Sequence, residues 1–189
     1  MLKRILFVGS KGSSAKTTLT LSLAKLSALT WPTYKLAVVD LDFGQKSSET
    51  FASFVGLNLV DQADADLTFV DSGAKLHGIQ AEYEKADRIV LCSTAGPMDL
   101  PVNTGYAAKD LTPFSEKTRI LFTRIKTVSK LDQQMVKREE PYDKIFSDFR
   151  VMSNYMRELQ DYRNFILTGD LTYKIKNELT NIMLELVGD

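Results

Sequence analysis

Cysteine and histidine are almost absent from this sequence. Its 189 residues include one cysteine, Cys92, and one histidine, His77. A single cysteine excludes an internal disulfide framework and favours a reducing compartment. The sequence contains no evident Ser/His/Asp arrangement and no cluster of metal-ligating residues. We expect Cys92 to belong to the core, because it lies in an apolar strand, and His77 to lie in a loop.

An excess of charge of one sign and a long apolar run are also missing. Lysine and arginine total 24, as do aspartate and glutamate, so no overall basic field indicates nucleic acid. No apolar run reaches the roughly 18 residues of a membrane span. The N-terminus is predicted to be a strand rather than a signal peptide. We therefore expect a cytoplasmic protein with one domain over residues 1–189.

The most informative stretch is a polar loop between an apolar strand and a helical pattern. The run ILFV at 5–8 is followed by KGSSAKTT at 11–18 and by leucines at helical spacing. A helix N-terminus offers unpaired N–H groups and partial positive charge to an anion. In such a loop, Lys16 can reach terminal phosphates and the Thr17 hydroxyl can hold Mg²⁺. This context predicts a phosphate-binding loop.

The two glycines of the ordinary loop pattern, G-x-x-x-x-G-K-[ST], are replaced here. Ser10 stands at the first position and Ala15 at the second. Glycine lets the backbone approach phosphate closely and adopt a positive φ without steric cost. A loop that preserves the fold but binds no nucleotide tightly is therefore the alternative.

Strands alternate with helices along the rest of the chain. Strands are predicted at 3–8, 35–40, 67–71, 88–92, 119–123 and, shorter, at 144–149. Helices are predicted at 17–29, 47–55, 80–87, 102–111, 127–139, 151–162 and 171–187, with a loop at 94–101. This order predicts a doubly wound α/β fold with a mainly parallel sheet flanked by helices. Ligands of such folds bind at the carboxyl ends of the strands.

Three aspartates are predicted to lie at that edge of the sheet. Asp71 ends the apolar strand LTFV, as in the Walker B pattern, where a carboxylate holds Mg²⁺ directly or through water. Asp40 and Asp42 follow the second strand at i and i+2, which places them on one face. The alternative for each is a turn with solvated carboxylates.

Several of these segments resemble the ParA/MinD family. Residues 11–18 resemble its deviant Walker A motif, K-G-G-x-G-K-[ST]-[ST], with departures at Ser13 and Ala15. Residues 40–45 resemble its D-x-D-P-Q segment and residues 86–91 its A-D-x-x-I-I strand. Residues 119–124 are similar to the family's fifth strand. In many relatives this strand ends in an asparagine that contacts adenine. Thr123 and Arg124 stand at that position here, as the same residue types do in small plasmid-partition ATPases of the ParF kind.

The resemblance implies a P-loop NTPase that binds ATP and Mg²⁺ and forms an ATP-dependent homodimer in plasmid or chromosome partitioning, with a centromere-binding partner. The implied catalytic residues are Lys11, which would reach the partner's nucleotide, Lys16, and Asp42, which would position the attacking water. The implied nucleotide contacts are Lys11, Gly12, Ser13, Ser14, Ala15, Lys16, Thr17, Thr18, Thr123 and Arg124. The implied Mg²⁺ ligands are Thr17, Asp40 and Asp71.

Other functions stay open on the same fold. One is an adaptor that has lost hydrolysis, which the changes at Ser13 and Ala15 favour. Another is a small-molecule ligase of the biotin-pathway kind, although nothing identifies its substrate pocket. The iron–sulfur nitrogenase-reductase branch is excluded, because it needs two cluster cysteines per subunit and this chain has Cys92 alone.

A basic stretch and the C-terminal helix indicate whether the protein would bind DNA or a membrane. The basic stretch lies between residues 119 and 138 and contains a single acidic residue, Asp132. Its basic residues are Arg119, Arg124, Lys126, Lys130, Lys137 and Arg138. Such a stretch could contact DNA phosphates without sequence preference. A solvated face is the alternative, since acids follow at 139–143. The helix at 171–187 has one apolar face but balanced polar charge, so we expect it to pack on the fold rather than bind membrane.

Overall fold

The chain folds around a parallel sheet. In a computed structural model of the chain, the described residues are 3–9, 14–42, 47–73, 78–140 and 144–188. Their strands are β1 Arg4–Val8, β2 Leu36–Asp40, β3 Leu67–Asp71, β4 Arg88–Ser93, β5 Thr118–Phe122 and β6 Arg150–Val151. They form a six-stranded sheet in the order β2-β3-β1-β4-β5-β6, and each neighbouring pair is parallel.

The helices lie on both faces of this sheet. They are α1 Lys16–Thr30, α2 Ser47–Phe54, α3 Gln80–Lys85, α4 Asp99–Tyr106, α5 Lys130–Lys137, α6 Gln160–Thr168 and α7 Tyr173–Val187. A π-helical segment, Ala107–Leu111, and a 3-10 segment, Thr112–Lys117, follow α4, and another 3-10 segment covers Gln62–Asp64. The predicted doubly wound α/β fold is therefore confirmed.

The burial of the central strand β1 on both faces explains why residues 5–8 are all apolar. Ile5 and Phe7 are fully buried in a core shared with α1, α2, α6 and α7. Leu6 and Val8 are fully buried in a second core shared with α3, α4 and α5. A parallel strand that is covered on both faces needs apolar residues at every position. This sandwich places the carboxyl end of β1 at the middle of one sheet edge.

The C-terminal helix packs against the body of the fold, as predicted. Its apolar stripe, Ile175, Leu179, Ile182, Met183 and Leu186, is buried in the same core as α1. Among the described residues, no helix combines the length and apolar character that a membrane crossing requires.

The region before α7 differs from the sequence predictions. Residues 144–149 form turns rather than the predicted strand, and the sixth strand is Arg150–Val151. The predicted helix at 151–162 is also wrong, because the chain stays non-helical until α6 begins at Gln160. Carboxylates of α7 hold this segment: Glu185 accepts from the Ser153 amide at 2.6 Å and Glu178 from the Arg157 amide at 2.9 Å. These bonds satisfy backbone donors without a local helix.

Smaller differences concern the segments around α4 and α5. The loop predicted at 94–101 is shorter, because α4 begins at Asp99. The helix predicted up to residue 111 changes to π-helical geometry after Tyr106. The helix predicted at 127–139 is confined to Lys130–Lys137, where the Ser129 hydroxyl caps its first turn by accepting from the Asp132 amide at 3.3 Å. His77, predicted to lie in a loop, is outside the described residues.

Candidate functional site

The turn from β1 into α1 is the centre of the site. Ala15 lies directly before α1 and has φ 58° and ψ 20°, in the left-handed region. This is the position at which the ordinary phosphate-binding loop has glycine. Ser14 is buried and lies next to it. Lys11, Gly12 and Ser13, which the sequence also assigned to this loop, lie outside the described residues.

Lys16 lies inside this turn rather than in solvent. Its side chain is 4% exposed, and Nζ donates to the Gly9 carbonyl and to Ser14 Oγ, both at 3.2 Å. Burial lowers the pKa of Lys16, while the negative charges of Asp71, Asp42 and Asp99 oppose that shift. The neighbouring Cys92 is fully buried, so it is a core residue as predicted, and burial raises the pKa of its thiol to about 12.

Gly9 permits this close arrangement. A Cβ at residue 9 would lie 2.8 Å from the Cys92 carbonyl oxygen and 3.0 Å from Ser14 Oγ. The 2.8 Å approach to a backbone carbonyl excludes a Cβ, so the end of β1 needs glycine where it passes Cys92 and Ser14. The ammonium is thereby held at the carboxyl edge of the sheet.

Thr17 and Asp71 join α1 to β3. The Thr17 hydroxyl donates to Asp71 Oδ2 at 2.5 Å, and the Ser48 hydroxyl of α2 donates to the same oxygen at 2.6 Å. Asp71 is 1% exposed. The structure therefore brings together the hydroxyl and the carboxylate that the sequence proposed as magnesium ligands. Oxygen ligands of this kind suit Mg²⁺, which one or two carboxylates commonly bind together with substrate phosphates.

Asp40 is the immediate neighbour of Asp71 across the sheet, but its carboxylate faces backbone amides. Asp40 Oδ2 accepts from the Ser48 amide and Oδ1 from the Asp42 amide, both at 2.8 Å. Burial raises the pKa of Asp40, and the two amide bonds oppose that effect. Asp40 therefore positions the start of α2 and the backbone of Asp42.

Asp42 is half-buried at the same edge and packs against the turn after β3. A Cβ added at Gly73 would lie 2.7 Å from Asp42 Cβ, and Gly73 has φ +65°. The glycine thus gives Asp42 its space. The charge of Asp42 also acts on Lys16, so both sequence-predicted catalytic residues that the structure describes, Lys16 and Asp42, belong to one site.

Thr123 and Arg124 follow β5 and approach the loop from the other side. The buried Thr123 hydroxyl donates to the Ser14 carbonyl at 3.0 Å. Arg124 has φ 56°, and its Nη2 donates to Glu158 Oε1 at 2.7 Å. Thr123 thus holds the loop backbone, whereas the Arg124 side chain points toward residues that precede α6.

A cavity of about 550 Å³ opens beside the first turn of α1. Ala15 and Thr18 form the wall nearest the loop, and Arg124 lies at the junction with a second cavity of about 340 Å³. The remaining lining residues come from the segment before α6 and from α6 itself: Met156, Arg157, Glu158, Leu159, Tyr162, Arg163, Ile166 and Leu167. A largely apolar space adjoining a phosphate-binding turn is suited to a nucleoside.

Sequence reasoning missed three polar residues near this edge. Ser48 donates to Asp71, and Glu158 lies in the cavity wall. Asp99, 7% exposed, accepts from the Thr94 hydroxyl at 2.6 Å, and its charge acts on Lys16. Ser48 had a signal, since it lies in the first turn of the helix that was predicted after the Asp40–Asp42 pair. Among the described residues, no group of three or more His, Cys, Asp or Glu side chains is placed to hold a metal.

Only some residues of the predicted basic stretch lie on the protein surface. Arg119 is 5% exposed and donates to the Glu116 and Thr118 carbonyls, so its assignment to a DNA-contacting face is wrong. Arg124 and Lys126 lie near Glu158, at 2.7 and 3.5 Å. The remaining members, Lys130, Lys137 and Arg138, are exposed.

Comparison with solved structures places this fold among ParA- and MinD-like proteins. The MinC:MinD cell division protein complex of Aquifex aeolicus matches with a TM-score of 0.72 and 16% identity, over 99% of this chain and 96% of that chain. A candidate plasmid partition protein of Borrelia burgdorferi B31 bound to AMPPNP matches with a TM-score of 0.69 and 14% identity, over 100% and 99%. An ATP complex of a Cyanothece McdA variant matches with a TM-score of 0.65 and 14% identity, over 99% and 96%.

The likeness extends over the fold rather than over the sequence. No protein-family model and no curated protein matches this sequence. The resemblance that the motifs predicted is therefore confirmed at the level of the fold: this chain is folded as ParA- and MinD-like P-loop proteins are.

Proposed function

We propose that this protein is a ParA-like ATPase, a nucleotide switch that binds ATP with Mg²⁺, dimerises around it and serves plasmid or chromosome partitioning. The observation that carries this proposal is that the buried Lys16 ammonium and the Thr17–Asp71 hydrogen bond lie at one end of the sheet, beside the cavity of about 550 Å³. Two solved structures with the same fold hold AMPPNP or ATP, which supports a nucleotide at this edge.

In this proposal the phosphates lie over the first turn of α1 and the nucleoside fills the cavity. The Lys16 ammonium, already fixed by Gly9 and Ser14, offsets phosphate charge. Ala15 and Thr18 line the path from the phosphates to the nucleoside. Thr123 acts by holding the Ser14 carbonyl, and residues 11–13 of the loop would complete the cradle.

Thr17 and Asp71 are the residues that would hold Mg²⁺. Both present oxygen atoms at one point, and Ser48 lies at the same carboxylate oxygen. Mg²⁺ at this point would neutralise charge on the terminal phosphates. Asp40, whose oxygens accept backbone amides, would act by fixing the neighbouring backbone.

Hydrolysis would depend on Asp42. Its half-buried carboxylate lies at the sheet edge that carries Asp71 and can orient a water for attack on the terminal phosphorus. By its resemblance, Lys11 would supply a cation to the nucleotide of the second copy. Lys11→Ala should then abolish ATP-dependent dimerisation or hydrolysis, and a variant that retained both would exclude this role.

A hydrolysis-deficient adaptor is the second candidate, and one observation favours it. Ala15 occupies a left-handed conformation, φ 58°, at a position where glycine would be unstrained. The Cβ of alanine also limits how closely the backbone can approach a phosphate. Measuring ATP turnover with and without DNA separates the two candidates, because the adaptor binds nucleotide without turnover.

Titration with AMPPNP and Mg²⁺ tests the nucleotide site. Lys16→Ala should weaken binding at least tenfold, because it removes a charge-assisted contact. Thr17→Ala should weaken it mainly in the presence of Mg²⁺. Thr30→Ala is the matched control, since Thr30 is exposed at the opposite end of the same helix. Equal affinity in wild type, K16A and T30A would contradict the proposed site.

Cargo contact is proposed for the exposed part of the basic stretch. Lys130, Lys137 and Arg138 are exposed, and a dimer would double their charge. ATP-dependent binding of random-sequence DNA should weaken steeply with salt. Binding that is absent at low salt, or that is unchanged in K130E/K137E, would exclude this surface. In this proposal, a centromere-binding partner protein stimulates ATP hydrolysis.

A further inference from the structure

We propose that Ser48 is a positioning residue of the magnesium site: its hydroxyl fixes the Asp71 carboxylate so that a single oxygen, Oδ1, serves the cation. The inference rests on the proposed function and adds to it a residue of α2 and a preference for Mg²⁺ over Ca²⁺. It concerns the point at which α1, α2 and the end of β3 meet.

The second oxygen of this carboxylate, Oδ2, already has two donors. Thr17 Oγ1 donates to it at 2.5 Å and Ser48 Oγ at 2.6 Å. The two oxygens of a carboxylate offer about four acceptor sites, or about two each. The two hydroxyls therefore occupy the acceptor capacity of Oδ2 before any cation binds.

The first oxygen, Oδ1, is less occupied. Among the residues that the structure describes, its donor is the Gly73 amide at 3.3 Å, beyond the usual range of about 2.7–3.2 Å for an N–H···O hydrogen bond. Oδ1 is therefore the oxygen that can serve a cation, either directly or through a water molecule bound to the metal.

The two hydroxyls on Oδ2 have different surroundings. Ser48 is fully buried, whereas Thr17 is half-buried in the first turn of α1. A hydroxyl has one donor and two lone pairs, so Thr17 can donate to Asp71 and still present a lone pair to Mg²⁺ on the open side. Ser48 contacts the carboxylate from the protein interior, where it can orient Asp71.

The backbone of Ser48 is held independently of its hydroxyl. Its amide donates to Asp40 Oδ2 at 2.8 Å, and Asp40 is the neighbour of Asp71 across β2 and β3. Replacing Ser48 by alanine removes one hydrogen bond to Asp71 and leaves the attachment of α2 to Asp40 in place. The substitution therefore tests the hydroxyl rather than the position of the helix.

A carboxylate that offers one oxygen suits Mg²⁺ better than Ca²⁺. Mg²⁺ demands near-octahedral geometry, whereas Ca²⁺ accepts six to eight oxygen ligands, bidentate carboxylates among them. Without the Ser48 hydroxyl, Oδ2 regains an acceptor site and the carboxylate can turn both oxygens toward a cation. The loss should therefore weaken the Mg²⁺ complex and favour the Ca²⁺ complex.

Equilibrium titration with AMPPNP in Mg²⁺, in Ca²⁺ and in EDTA tests this role. In Ser48→Ala, the ratio of the Kd in Ca²⁺ to the Kd in Mg²⁺ should fall roughly tenfold, the effect of one hydrogen bond to a charged group. The Kd in EDTA should stay at its wild-type value, because the phosphate contacts of α1 are unchanged.

Two matched variants separate the hydroxyl from a general effect on α2. Ser53→Ala, at an exposed position of the same helix, should retain the wild-type ratio, and so should Ser48→Thr, which keeps a hydroxyl. The wild-type ratio in S48A would overturn this inference alone, since a purely structural role weakens both metal complexes alike. Wild-type binding that is absent, or that Mg²⁺ does not strengthen, would overturn the proposed function and this inference with it.

Discussion

At the scale of single residues, Ala15 and Lys16 are the least ordinary positions in the structure. Ala15 has a left-handed backbone, φ 58°, which costs an L-residue roughly 1–2 kcal/mol relative to the right-handed region. Lys16 is a buried ammonium at 4% exposure. Both features stand at the point where a phosphate would lie, and both are adverse to folding in the absence of a ligand.

Ala15→Gly should raise the free energy of unfolding by about 1 kcal/mol, because glycine adopts a positive φ without steric cost. Chemical denaturation measures this change. Ala81→Gly is the matched control: Ala81 is exposed in α3, where glycine should instead lower stability by roughly 0.5–1 kcal/mol. Destabilisation by A15G of the same size as by A81G would contradict the strained turn.

Nucleotide binding should take up a proton at Lys16. Burial lowers the pKa of this ammonium below its ordinary 10.5 in the nucleotide-free protein, and bound phosphates would raise it again. Affinity should therefore fall as the pH rises through that lowered pKa. Calorimetry in buffers of different ionisation enthalpy should detect the uptake at alkaline pH, between the lowered pKa of the free protein and the raised pKa of the complex, where the triphosphate is fully ionised. Lys16→Met should lose it; uptake that persists in K16M would refute this origin.

At the scale of elements, the site depends on how the ends of β2, β3 and α2 are joined. Asp40 accepts the amides of Asp42 and Ser48, and the Ser48 side chain reaches Asp71. Two neighbouring strands and the start of α2 are thus tied by three hydrogen bonds. The turn after β3 completes this unit, because Gly73 leaves room for Asp42.

Gly73→Ala should reduce ATP turnover more than ATP affinity. A Cβ at Gly73 would lie 2.7 Å from Asp42 Cβ and would displace the carboxylate that we assign to the attacking water. Gly78→Ala is the matched control, because Gly78 also has a positive φ, +86°, but has nothing within 4 Å of the added Cβ. Steady-state turnover and Kd separate the effects. Equal loss of turnover in the two variants would contradict the role of Asp42.

Glu178 connects α7 to the nucleoside cavity. Its carboxylate accepts from the Arg157 amide, from Arg157 Nε and from the Tyr162 hydroxyl. Glu178→Gln replaces one acceptor oxygen by an NH₂ group that faces the donors of Arg157 and Tyr162. We therefore expect a loss of about 1–3 kcal/mol in unfolding free energy and weaker nucleotide binding. Glu84→Gln, at an exposed position in α3, should change neither. Unaltered thermal stability in E178Q would show that this bond network is dispensable.

At the scale of the whole molecule, sequence patterns predicted the order of strands and helices up to β5. Buried parallel strands are nearly continuous apolar runs, and residues 5–8 of β1 and residues 67–70 of β3, with Thr68 as the one polar member, show such runs. The part that failed, between residues 144 and 160, is held by Glu178 and Glu185 from a helix further along the chain. Local periodicity carries no information on such contacts.

The residues of the candidate site also divide into those that a local pattern predicts and those that depend on contacts distant in sequence. Lys16, Thr17 and Asp71 could be predicted because a local motif and a strand end carry them. Glu158 could not, since it enters the cavity through a bridge between residues 125 and 157 that no sequence pattern marks. Thr123 was predicted as a nucleotide contact, but its hydroxyl holds Ser14, a pairing between residues more than a hundred positions apart.

The molar mass of the protein in solution with each nucleotide tests the switch most directly. Size-exclusion chromatography with light scattering should give a monomer with Mg²⁺ and ADP and a dimer with Mg²⁺ and AMPPNP. Ala15→Gly should form that dimer at least as readily, because its loop is unstrained. The same mass with ADP and with AMPPNP, in both wild type and A15G, would contradict a nucleotide-dependent switch.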